Sequence, residues 1–191
     1  MKYILLFLTL VFLAFILNVP AQESSKAAPE RYGFKEVSFG ISKDAFLRVL
    51  CVKYGFKQTS IAQRKSFSEM KLYEYSVSDP YCYAKHEIAG KLVEARWYFN
   101  KDGKFSEVQY RMGIDKFDNK KDALEKIGFF NKMFESKYGA PAKKNDAEVS
   151  YMSKEELTPC WVWKRPTVKI FTAFSVEDSV NIAIADIVDA R

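Results

Sequence analysis

The chain has 191 residues, with 30 basic and 24 acidic side chains for a formal charge of +6, and it carries 16 Phe, 11 Tyr and 3 Trp. That length supports one domain with a substantial core, and the composition excludes a disordered chain, a collagen, a multi-span membrane protein and a disulfide-dense miniprotein. The charges are interspersed, with basic runs no longer than pairs such as Lys143-Lys144, which fits a solvated surface and argues against a nucleic-acid groove.

Residues 1–21 read as a secretory signal peptide. Lys2 precedes an apolar stretch over 3–17 broken only by Thr9, and Val19-Pro20-Ala21 stands before the expected cut at Gln22. The stretch is short for a spanning helix, which needs about 20 apolar residues. An exported protein follows, periplasmic or secreted, without stable membrane insertion after cleavage; an uncleaved N-terminal anchor is the alternative. No Cys stands at the cut, so no lipid anchor is expected there; no Asn-x-Ser/Thr acceptor occurs anywhere, so a bacterial envelope is expected. Residues 22–32 are polar and small and read as a flexible leader; residues 33–191 form the expected domain.

Within that domain, 34–39 is expected to be a strand broken by Gly40. Ser42 then caps a helix with Ala45, Phe46, Val49, Leu50 and Val52 on its apolar side and Gly55 as its stop. Strands are expected over 70–77 and 84–88. Residues 92–99 alternate, with Val93, Ala95, Trp97 and Phe99 on one face and Leu92, Glu94, Arg96 and Tyr98 on the other. Asn100-Lys101-Asp102-Gly103 turns the chain into a return strand over 104–112. A helix over 119–138 places Ala123, Ile127, Phe130, Phe134 and Tyr138 at three- and four-residue steps, and Gly139-Ala140-Pro141 ends it. Strands over 160–164, 167–174 and 180–188 complete the pattern.

The halves echo each other. Lys43-Asp44-Ala45 returns as Lys121-Asp122-Ala123, Cys82 as Cys160, and Lys53-Tyr54-Gly55 as Lys137-Tyr138-Gly139. The expected fold is therefore α+β: a curved antiparallel sheet with two helices packed on one face, from a tandem duplication of a helix-plus-three-strand unit over 33–112 and 117–188. Phe39-Gly40-x-Ser42, the Phe99-Asn100-x-x-Gly103-Lys104 hairpin and the helix end Lys137-Tyr138-Gly139-Ala140-Pro141 resemble a pattern in small exported bacterial proteins. The helix-then-strands repeat is also similar to the β-lactamase inhibitor protein and to the small lipoprotein of the outer-membrane assembly machine. Those proteins bind other proteins, so the resemblance implies a binding role by analogy. The chain departs from the lipoprotein in lacking its lipid-attachment Cys, and no functional residue carries over.

Chemistry is sparse. No phosphate loop, dinucleotide fingerprint or metal-ligand motif occurs, so no cofactor or metal is expected. His86, the single histidine, reads as a strand residue before it reads as a catalytic base. The carboxylate pairs Glu155-Glu156 and Asp115 with Asp118 fall in expected loops. Cys82 and Cys160, both near strand starts, form the candidate disulfide, with pairings through Cys51 as alternatives; Cys51 itself fits a buried, inert thiol in a helix. Arg96, Tyr98, Arg111, Trp161 and Trp163 form the candidate binding face, because Arg, Tyr and Trp dominate interface hot spots. The expected role is a non-catalytic binding module for a protein partner in the cell envelope or outside it. The alternatives are a small-ligand carrier with an aromatic cleft between sheet and helices, and a small exported hydrolase using His86 or loop carboxylates.

Overall fold

The computed structural model describes residues 33–35, 37–59, 66–114, 119–145, 158–177 and 180–191. The expected signal peptide over 1–21 and leader over 22–32 lie outside them, as do Glu155, Glu156, Asp115 and Asp118. In chain order the elements are β1 (Gly33–Phe34), β2 (Val37–Ser38), α1 (Lys43–Tyr54), β3 (Lys57–Gln58), a 3-10 turn at Phe67–Glu69, β4 (Glu74–Ser78), β5 (Tyr81–Ile88), β6 (Lys91–Phe99), β7 (Phe105–Gly113), α2 (Asn119–Tyr138), β8 (Lys143–Lys144), β9 (Thr158–Lys164), β10 (Val168–Glu177) and β11 (Val180–Asp189). Strands β3 to β11 form one open nine-stranded sheet in the order β3-β4-β5-β6-β7-β11-β10-β9-β8. Among the described residues, the short β3–β4 contact alone is parallel. The α+β class with two helices and a large antiparallel sheet is therefore as expected.

The segment expected as one strand over 34–39 is instead a ribbon. β1 and β2 pair antiparallel outside the main sheet, and Lys35 turns the chain at φ 55°. Gly33 makes this possible. It sits at φ 148°, and a Cβ there would lie 1.9 Å from the Val37 carbonyl oxygen. Gly33→Ala must open the ribbon, and we expect a loss of about 2 kcal/mol, read as a lower urea midpoint. An unchanged midpoint would mean that the ribbon does not contribute to the folded core.

The caps follow the sequence. Ser42 accepts a hydrogen bond from the Ala45 amide at 3.3 Å, and Gly55 closes α1 at φ 69°. In the β6–β7 turn, the Asn100 side chain accepts from the amides of Asp102 (3.0 Å) and Lys104 (2.9 Å). The expected stripe of α2, Ala123, Ile127, Phe130, Phe134 and Tyr138, is buried throughout. In α1 only Phe46 and Leu50 are fully buried, and Val52 is 83% exposed, so the expected apolar side is narrower than read.

Register fixes the layers. Trp97, Val108, Ile187, Ile170 and Trp163 form one row across β6, β7, β11, β10 and β9. The Phe46 ring of α1 packs 5.3 Å from Trp97 at one end of this row, and Phe134 of α2 packs 5.6 Å from Trp163 at the other. Both helices thus cover the same face. β7 and β11 pair antiparallel in mid-sheet, with β6 and β5 outward on one side and β10 and β9 on the other.

The cysteines correct the expected disulfide. All three are thiols, none bridged. Cys82 lies on β5 and Cys160 on β9, five strand steps apart in the sheet, or about 24 Å at normal strand spacing. Burial pushes both thiols up to about 11, which leaves them unreactive at neutral pH. Cys82 and Cys160 do not meet, because β5 and β9 lie on opposite sides of the central β7–β11 pair. Cys51 makes a weak contact of 3.8 Å with the Tyr75 hydroxyl in the core.

Candidate functional site

The candidate site is the sheet face away from the helices. Alternation puts Tyr81, Tyr83 and Lys85 of β5, Glu94, Arg96 and Tyr98 of β6, and Glu107, Gln109 and Arg111 of β7 on it. Tyr81 is opposite Tyr98, Tyr83 opposite Arg96, and Lys85 opposite Glu94. The tyrosines stack, with Tyr81 5.2 Å from Tyr98 and 6.1 Å from Tyr83 between ring centroids. The Arg96 guanidinium lies 4.7 Å over the Tyr81 ring and donates from Nε to the Glu94 carboxylate. Arg96, Tyr81, Tyr83 and Tyr98 are each half-buried, so the patch is both held and accessible.

A polar chain runs from this patch toward mid-sheet. Glu94 also lies 4.0 Å from the Arg111 guanidinium. Arg111 donates to Gln109 Oε1 at 3.3 Å, and Gln109 Nε2 donates to Asp186 Oδ2 at 3.2 Å. The Glu107 carboxyl is the neighbouring charge on this face. Burial, then the neighbouring Glu107 charge, push the Asp186 carboxyl up to about 8; burial also raises Glu107. Asp186 therefore keeps its proton at neutral pH, beside the Glu107 carboxyl. This pair escaped the sequence reading. Its signal was an Asp in the otherwise apolar run Ile182–Ile187 of a strand buried on both faces.

Beside the patch is a groove of about 480 Å³ lined by Phe67, Leu92, Glu94, Arg96, Arg111 and Ile182, among others. Lys85 fastens the 3-10 turn that brings Phe67 there, donating to the carbonyls of Ser68 (3.3 Å) and Met70 (2.9 Å).

The five residues expected as one binding face divide. Arg96 and Tyr98 belong to the accessible patch, and Arg111, only 4% exposed, anchors the polar chain and the groove floor. Trp161 and Trp163 are on the opposite, helix-covered face. Trp163 is fully enclosed and donates its indole N–H to the Gly139 carbonyl at 2.7 Å, while Trp161 is half-buried with the Lys144 ammonium 4.1 Å over its ring. The physical reason is packing: Trp163 fills the space beneath α2 against Phe134, 5.6 Å away, and Trp161 stacks beside it at 6.0 Å. The outer face also closes toward β11 and β10, where Ile184, Ala173 and Phe171 are buried, so among the described residues the open part of this face is β5 and β6.

His86 sits on the helix-covered face. Its ring is 5.4 Å from Phe34, 5.6 Å from Tyr73 and 5.9 Å from Phe56. Burial, helped by the Lys35 charge, pushes its pKa down to about 4, so the imidazole is neutral at physiological pH. No family model, curated protein or solved structure matches the chain.

Proposed function

We propose that the protein is an exported, non-catalytic binding module that engages a protein partner of the cell envelope through the outer face of β5 and β6. The observation that carries this reading is the Tyr81–Tyr83–Tyr98–Arg96 cluster. Tyrosine and arginine are the side chains that supply most interface energy, and here they are stacked and ion-paired before any partner arrives, so little side-chain freedom remains to be lost on binding. The adjoining groove offers Phe67, Leu92 and Ile182 to an apolar side chain, with Arg96 and Arg111 for an acidic or carbonyl group. The aromatic surroundings of His86 speak for a packed histidine rather than a base beside a nucleophile. The order β5-β6-β7-β11-β10-β9 is the order that a tandem duplication joined through its last strands would produce, and we include that duplication, with a curved sheet, in the proposal.

The test is affinity against the partner recovered by crosslinking. Tyr81→Ala is expected to weaken binding about 30-fold, equivalent to about 2 kcal/mol, with an unchanged urea midpoint. Val52→Ala on α1 is expected to leave affinity unchanged. Equal affinity of the Tyr81 variant and the parent protein contradicts this assignment.

A further inference from the structure

A second cavity, of about 210 Å³, opens on the helix-covered face. Its floor is Tyr110 of β7, His86 of β5 and Ile187 of β11; Met133 and Phe134 of α2 form one wall and Phe34 of the β1–β2 ribbon the other. Lys35 and Lys137, both exposed, border the opening.

Three observations converge on a ligand. The lining is mostly apolar, with Ile187 and Phe34 fully buried. His86, 7% exposed, carries an enclosed Nδ1 with no hydrogen-bond partner among the described residues; buried polar atoms are seldom left so. The ammonium of Lys35 is held near the opening over the rings of Tyr54 (4.5 Å) and Phe34 (5.9 Å), where burial lowers its pKa. An anionic group at the opening would compensate that partly desolvated charge.

We propose that this cavity binds a small monocarboxylate with an apolar body, its chain against Ile187, Met133 and Phe134, and its carboxylate at Lys35. This does not rest on the partner-binding reading, which uses the opposite face of the sheet.

The probes are straight-chain carboxylates from butyrate to decanoate, with octanol and octylammonium as comparators, added to the intact untagged protein. The chain has one histidine, so imidazole NMR signals report on His86 alone. Octanoate is expected to move those signals saturably. Affinity should rise about 4-fold for each added CH₂ and stop rising once the cavity is full, whereas adsorption to an exposed surface would keep rising to decanoate. Octanoate should bind at least about 10-fold more tightly than octanol, and octylammonium more weakly than either. Lys35→Gln should remove the preference for octanoate over octanol while leaving octanol affinity as it was. Imidazole signals that stay still at millimolar octanoate, or octanol binding as well as octanoate, would overturn the proposal. Loss of carboxylate binding with Tyr81-dependent partner affinity intact would refute this site alone.

Discussion

Phe34→Ala is expected to destabilise the protein by about 3–5 kcal/mol, the range for removing a large ring from a core. Phe34 is fully buried although it sits on a two-residue strand. Its ring is within 6.4 Å of the rings of Phe46, Phe56, His86, Trp97 and Tyr110, so it touches α1, the main sheet and the segment after α1 at once. The ribbon has few backbone bonds of its own, and this ring is what seats it. For a chain of this size the loss corresponds to a fall in Tm of about 10 °C. Because Phe34 packs 5.2 Å from Trp97, the native tryptophan emission should also move to longer wavelength. Phe34→Leu keeps part of the volume and should cost about half as much. A loss below about 1 kcal/mol for the Ala variant would mean that the ribbon is peripheral to the core.

The second large effect depends on pH. Asp186→Asn should be close to neutral at pH 5 and should stabilise the protein by on the order of 3 kcal/mol at pH 9. The native carboxyl holds its proton up to about 8, against an ordinary value of 3.8. Between those values the folded state binds a proton that the unfolded state has released, so stability falls as pH rises and levels off above about 8. Glu107, also raised by burial, acts in the same direction. His86 opposes them: its pKa is lowered from 6.5 to about 4, so its contribution rises with pH across that interval and is then constant. The two slopes offset each other below pH 6.5, and above it the carboxyl pair acts alone. The side-chain carbonyl of Asn can still receive the Gln109 hydrogen bond, and the amide carries no titrating proton. Urea unfolding at pH 5, 7 and 9 measures this. Wild-type stability that climbs from pH 7 to 9, or an Asn variant with the same slope as the parent, would show that the pair is not held protonated.

Much of the architecture was legible because it is written in short-range signals. Ser42, Gly55, the Asn100–Gly103 turn and the five-residue stripe of α2 each act within a few residues, and each forms as read. The alternation of β6 also holds, with Val93, Ala95 and Trp97 inward. What failed depends on distant contacts. Alternation puts Trp161 and Trp163 on one side of β9 but does not say which side, since Trp-Val-Trp is apolar on both; the choice is made by α2. The equivalence of Cys82 and Cys160 was read as proximity, but strands joined at β7 and β11 place those residues toward opposite edges of the sheet. Asp186 and Glu107 lie 79 positions apart in sequence and meet only through the β7–β11 register. Likewise, a Gly33 that lets Lys35 turn the chain looks like a strand residue until Val37 is placed opposite it.

The central claim is that the face of β5 and β6 meets a protein partner. Site-specific photo-crosslinking in the producing cell tests it most directly. A photoreactive side chain placed at Tyr83, on the outer face, is predicted to give one dominant protein adduct, and the same group at Val52, on the exposed side of α1, to give none. An adduct from Val52 with none from Tyr83 would contradict the account and move the partner to the helical side.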